Sequence, residues 1–102
     1  MKLLKEDEYE DLAMEFQYKI VEILDQTLKE KGIKESERAD ICGDFNFDLA
    51  NFIDDGEIEF DDNSYSLEIA FEKDKNLWVN SGVLFHEYAF GVSSDYFENT
   101  DA

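Results

Sequence analysis

Apolar residues recur at steps of three and four over residues 6–31: Tyr9, Leu12, Ala13, Phe16, Ile20, Ile23, Leu24 and Leu28. At about 100° per residue they fall on one face of a helix. Glu6, Asp7 and Glu8 at its start and Lys29 and Lys31 at its end complement the helix dipole. Gly32 followed by Ile33 carries the signature of a left-handed stop with an apolar contact behind it. A second helix is expected from Ser36, as N-cap, to Ile53, with Ile41, Cys42, Phe45, Leu49, Phe52 and Ile53 on its apolar face. Gly43 and Ala50, seven residues apart, form a strip of small side chains where another element can come close.

Asp54-Asp55-Gly56 breaks the helical period, and a period of two follows. Ile58 and Phe60 alternate with Glu57, Glu59 and Asp61. Tyr65, Leu67, Ile69 and Phe71 alternate with Ser64, Ser66, Glu68, Ala70 and Glu72. Asp62-Asn63 and Lys73-Asp74-Lys75-Asn76 are turn-forming, and residues 77–80 make a further strand. Residues 83–90 suit either a fourth strand or a short helix, and Ser93-Ser94-Asp95 suits the cap of a last helical turn carrying Tyr96 and Phe97. The expected architecture is α+β: two N-terminal helices, then a three- to four-stranded antiparallel β-meander, with the helices on one sheet face. It forms a single small domain over residues 1–102, with 1–5 and 98–102 frayed. Phe16, Ile20, Leu24, Phe45, Leu49, Phe52, Leu67, Ile69 and Phe71 are the expected core.

Composition narrows the class. A chain of 102 residues has room for one core. Its 43% hydrophobic and 15% aromatic content excludes an acidic disordered tail. Against 27 Asp and Glu stand 9 Lys and Arg, a net charge of −18. That balance opposes direct binding to nucleic acid or to an anionic membrane. No stretch approaches the roughly 18 apolar residues of a membrane span. Met1-Lys2-Leu3-Leu4-Lys5 turns acidic at Glu6 before an apolar run forms, so no signal peptide is expected. The lone Cys42 rules out an internal disulfide and reads as a small buried residue in a reducing cytoplasm.

Catalytic signatures are weak. The lone His86 lies in a mostly apolar run and has no second histidine with which to form a zinc site. The glycines at 32, 43, 56, 82 and 91 are too scattered for a phosphate loop. With 27 carboxylates, any pair arises by chance, so no catalytic residue is assigned and no enzyme is expected. Asp44-Phe45-Asn46-Phe47-Asp48 opens like a calcium loop but has Leu49 where the loop needs glycine. Aligning on Gly56 instead puts Ile53 at a ligand position. No metal site and no cofactor are expected.

The charge is regional. Residues 1–38 hold 11 acids and 7 bases, net −4, and residues 39–102 hold 16 acids and 2 bases, net −14. From Ala39 to Glu72 there are 11 acids and no base. Like charges without interspersed counter-charges cost stability. Asp40, Asp44 and Asp48 recur every four residues on the second helix, with Glu37 and Asp55 near the same angle. Each step rises about 6 Å, which approximates the spacing of phosphates along a nucleic-acid strand. Phe47 lies about 60–70° from the centre of this acid face and reads as an exposed aromatic anchor beside the carboxylates. Asp54, Asp55, Glu57, Glu59, Asp61 and Asp62 extend the field into the β-region, and Trp78 is a second aromatic candidate. The alternative is an ordinary solvated acidic face.

These features lead to an expectation of a small acidic inhibitor that blocks a basic active or nucleic-acid-binding surface of a partner protein. In size, charge and strategy it resembles bacterial immunity proteins against nuclease toxins and phage proteins that mimic DNA, although no motif ties it to a named family. The expected partner-binding residues are Glu37, Asp40, Asp44, Phe47, Asp48, Asp54, Asp55, Glu57, Glu59, Asp61, Asp62 and Trp78. The chain is expected to work in the cytoplasm as a monomer or homodimer. The competing expectation is a structural adaptor subunit of a bacterial complex, held by exposed aromatics and without inhibitory role.

Overall fold

The computed structural model describes residues 1–99. The fold is α+β. Strand β1 (Lys2–Leu3) precedes helices α1 (Glu6–Glu30) and α2 (Glu35–Asp55). Strands β2 (Glu57–Phe60), β3 (Asn63–Ser66), β4 (Phe71–Lys73) and β5 (Asn76–Val79) follow. A 3₁₀ turn (Phe85–Glu87) then leads into helix α3 (Ala89–Asn99).

The stop after α1 forms as the sequence predicts. Gly32 takes φ +80°. The Ile33 N–H donates to the Leu28 carbonyl at 3.1 Å, and the Gly32 N–H to the Lys29 carbonyl at 3.0 Å. This paired closure satisfies carbonyls that the helix end leaves open. The start of α2 differs. Lys34 occupies the N-cap position without a side-chain cap, and Ser36 lies inside the first turn.

The buried faces are rotated from those expected. On α1 the inner stripe is Tyr9, Ala13, Gln17, Val21 and Asp25, while Leu12 and Ile23 are exposed. On α2 it is Cys42, Gly43, Asn46, Ala50 and Ile53, while Ile41, Phe45 and Phe52 are 40–46% exposed. The cause is α3, which packs on both α1 and α2 and draws their faces toward itself. The segment read as either strand or short helix is in fact the 3₁₀ turn and the start of α3, and Ser93-Ser94-Asp95 lies in the interior of that helix. Its seat is the small-residue strip: a Cβ on Gly43 would lie 3.6 Å from Ser93 Oγ and 4.0 Å from the Phe90 ring.

Among the described residues the strands form two sheets rather than one meander. One has the order β1-β5-β4, with β1 parallel to β5, so Lys2–Leu3 in the segment expected to fray lies beside Trp78–Val79. The other is the antiparallel pair β2-β3. Both hairpins close through two residues with positive φ, Asp61-Asp62 and Asp74-Lys75, the backbone of a tight two-residue turn. The expected run from Ser64 to Glu72 is broken at residues 67–70, where the Ile69 carbonyl accepts a hydrogen bond from the Tyr9 hydroxyl.

Among the described residues the core has two clusters. Tyr9, Ala13, Ala50, Ile53, Val83, Phe85 and Ala89 form one, with Phe16, Leu49, Ile69 and Phe71 packed against it. Tyr9 meets Phe71 edge-on at 5.2 Å and Phe85 at 6.1 Å. Val21, Cys42 and Tyr96 form the other. Polar side chains pin the packing. Gln17 Nε2 donates to the Phe85 carbonyl at 2.7 Å, and Asn46 Nδ2 to the Ala89 carbonyl at 3.0 Å. Arg38 Nε donates to Asp25 Oδ1 at 2.7 Å, and the Tyr96 hydroxyl to Asp25 Oδ2 at 2.8 Å. Those two bonds tie α2 and α3 to α1.

Candidate functional site

Helix α2 presents its acids outward because its inner face is taken by α1, the 3₁₀ turn and α3. Glu37, Asp40, Asp44, Asp48 and Asp55 are all exposed. Among the described residues, Asp40, Asp44 and Asp48 take no ion pair and no side-chain hydrogen bond. Glu37 makes only a solvent-exposed pair with Lys34 at 3.7 Å. The chain's one arginine, Arg38, points inward to Asp25 and leaves the row without a strong counter-charge. A row of like charges at i, i+4 costs an isolated helix a few tenths of a kcal/mol per pair.

Apolar side chains border the row on both sides. Helical geometry places Ile41, Phe45 and Phe52 along one edge. On the other edge, an open groove of about 490 Å³ between α2 and α3 is lined by Asp40, Asp44, Phe90 and Phe97. Phe47 is half-buried rather than free, and its ring stacks on Phe90 with centroids 4.6 Å apart. The more exposed ring of that pair is Phe90. Sequence periodicity does not single out Phe90, since its place depends on α3.

Asp54 does not join the surface acids. Its side chain is 2% exposed. It accepts the backbone N–H groups of Phe85 and His86, each at 2.8 Å, and holds His86 Nδ1 at 2.6 Å. The carboxylate therefore caps the 3₁₀ turn and fixes His86. The pair has the makings of a proton-transfer dyad, but no described serine or cysteine bonds to His86, and Cys42 is buried in the other cluster. Trp78 belongs to the three-stranded sheet, not to α2 or the β2-β3 hairpin. Its indole N–H donates to the Lys73 carbonyl at 3.4 Å, and the Lys2 ammonium lies 5.6 Å from its ring.

Glu57, Glu59, Asp61 and Asp62 are exposed on the β2-β3 hairpin, which follows Asp55 after a single glycine. Ser64 Oγ donates to Glu57 Oε2 at 2.8 Å. All eight residues of the two strands are exposed, including the apolar Ile58, Phe60 and Tyr65. These three, with Ile41, Phe45, Phe52 and Phe90, are apolar contacts that the charge pattern alone does not reveal.

Inside, burial and the neighbouring Asp25 push the Tyr96 hydroxyl up to about 12 and the Cys42 thiol up to about 11. Burial likewise lifts Tyr9 to about 12, with help from Glu68 and Asp54. All three groups are neutral at physiological pH, so these cores add nothing to the surface charge. Among the described residues no helix is long and apolar enough to cross a membrane, and no cluster of three metal-ligating side chains occurs.

No protein-family model, no curated protein and no solved structure matches the chain.

Proposed function

We propose that the protein is a small acidic inhibitor that binds a basic partner protein and covers its active or nucleic-acid-binding surface. The observation that carries this reading is the exposed, unpaired row Asp40, Asp44 and Asp48 on α2, with Asp55 and the hairpin acids beyond it. A charge row that costs folding stability is explained when a cationic surface neutralises it. Complementary charge also speeds association and makes it depend on salt. A nuclease toxin met by its immunity protein, or a DNA-binding enzyme met by a phage decoy, are partners of this kind, and both place the inhibitor in the cytoplasm. A toxin gene beside this one selects the first.

The second reading, an adaptor held by apolar contacts, is favoured by the exposure of Phe45, Phe52 and Phe90. Salt separates the two. In capture from lysate of the source organism, an electrostatic inhibitor retains a basic protein at about 50 mM salt and releases it by about 500 mM. Retention unchanged across that range supports the adaptor and contradicts the inhibitor.

A further inference from the structure

The β2-β3 hairpin is an unfinished sheet. Among the described residues, its strands pack extensively only on each other, and an isolated two-stranded hairpin is marginal in water. Its faces differ. The register pairs Ile58 with Tyr65 and Phe60 with Asn63, so Ile58, Phe60 and Tyr65 share one face. Glu57, Glu59, Ser64 and Ser66 share the other. Phe60 and Asn63 flank the two-residue turn and exchange both backbone bonds, as do Ile58 and Tyr65. The N–H and C=O groups of Glu57 and Glu59 therefore point outward along the free edge of β2. Among the described residues, no strand lies beside that edge.

We propose that the β2 edge receives an extended segment of the basic partner, in which apolar residues alternate with lysine or arginine. This rests on the function proposed above. An added strand continues both faces: its apolar side chains lie beside Ile58 and Phe60, and its cations beside Glu57 and Glu59. Its backbone takes up the outward groups of Glu57 and Glu59 and makes a three-stranded sheet. The charges also select against a second copy, because pairing β2 with β2 would bring the Glu57 and Glu59 carboxylates together.

The test is a titration of the isotope-labelled protein with a short synthetic peptide alternating lysine and valine, and with an isomer of the same composition in which lysines and valines are grouped. The alternating peptide is expected to bind about tenfold more tightly than the isomer and to slow amide exchange at Glu57 and Glu59. Glu59→Pro removes one outward N–H and leaves the hairpin's own bonds intact. It is expected to erase the preference, while Glu59→Ser, which keeps the N–H, retains it. Replacing Phe60 and Tyr65 together by threonine erases it by a second route without lowering strand propensity. Equal binding of both isomers, or a preference that survives Glu59→Pro, overturns the strand-addition proposal and leaves the inhibitor reading standing. Failure of both peptides to bind at low salt counts against both proposals. A dimer that Glu59→Pro converts to monomer assigns the edge to a second copy and overturns the proposal.

Discussion

Arg38 shows how far a residue's role depends on its place. It lies two residues before Asp40, in a stretch that reads as surface charge, yet its side chain is 14% exposed and its partner Asp25 is 8% exposed. Its second donor, Nη1, reaches the Ile33 carbonyl at 2.6 Å. Removing one member of such a pair strands the other charge in the interior. Arg38→Ala is expected to cost about 3 kcal/mol in a denaturant melt. Adding Asp25→Asn should recover part of that loss, because it removes the stranded charge. Two independent, additive losses would contradict the pairing. Nothing local in the sequence announces this contact: the residues are thirteen apart on consecutive helices, and the turn at Gly32 brings them together. Asp54 was illegible for the same reason, since its partners, Phe85 and His86, lie more than thirty positions away. The outward aspartates were legible, because helical spacing alone sets their angle.

At the scale of elements, α1, the stop at Gly32, α2 and strand β2 follow directly from periodicity, whereas the alternating run from Ser64 to Glu72 is cut into β3 and β4. The rotation of the helix faces does not. It comes from α3, whose sequence hides its helix behind Gly91 and a pair of serines. The small strip at Gly43 and Ala50 signalled that some element would approach there, without saying which. The joint between α2 and the hairpin is equally specific. Gly56 donates its N–H to the Phe52 carbonyl at 2.8 Å. A Cβ at this position would stand 2.5 Å from that same oxygen and would press on the Phe52 ring. Gly56→Ala is expected to cost about 1–3 kcal/mol, as overpacking does. It should also shift the amide resonances of β2 and β3 more than those of α1. An unchanged melting curve would show that the joint is slack and that the hairpin is not held in a fixed direction relative to α2.

At the scale of the whole molecule, the net charge of −18 resolves into a first third near balance and a remainder with almost no counter-charge. The fold keeps that division visible by turning its one arginine inward and the α2 aspartates outward. Self-repulsion then opposes folding, and screening relieves it. The melting temperature is expected to rise between salt-free buffer and about 0.5 M sodium chloride; a fall would show that attractive pairs dominate the surface instead. The most direct test of the central claim is the affinity of the captured basic partner for the wild-type protein and for a variant carrying Asp40→Lys, Asp44→Lys and Asp48→Lys, measured at low salt. Loss of affinity by about a hundredfold or more, with the variant still folded, is the result the inhibitor reading predicts. Equal affinity would contradict it and leave the aspartate row as a solvated face.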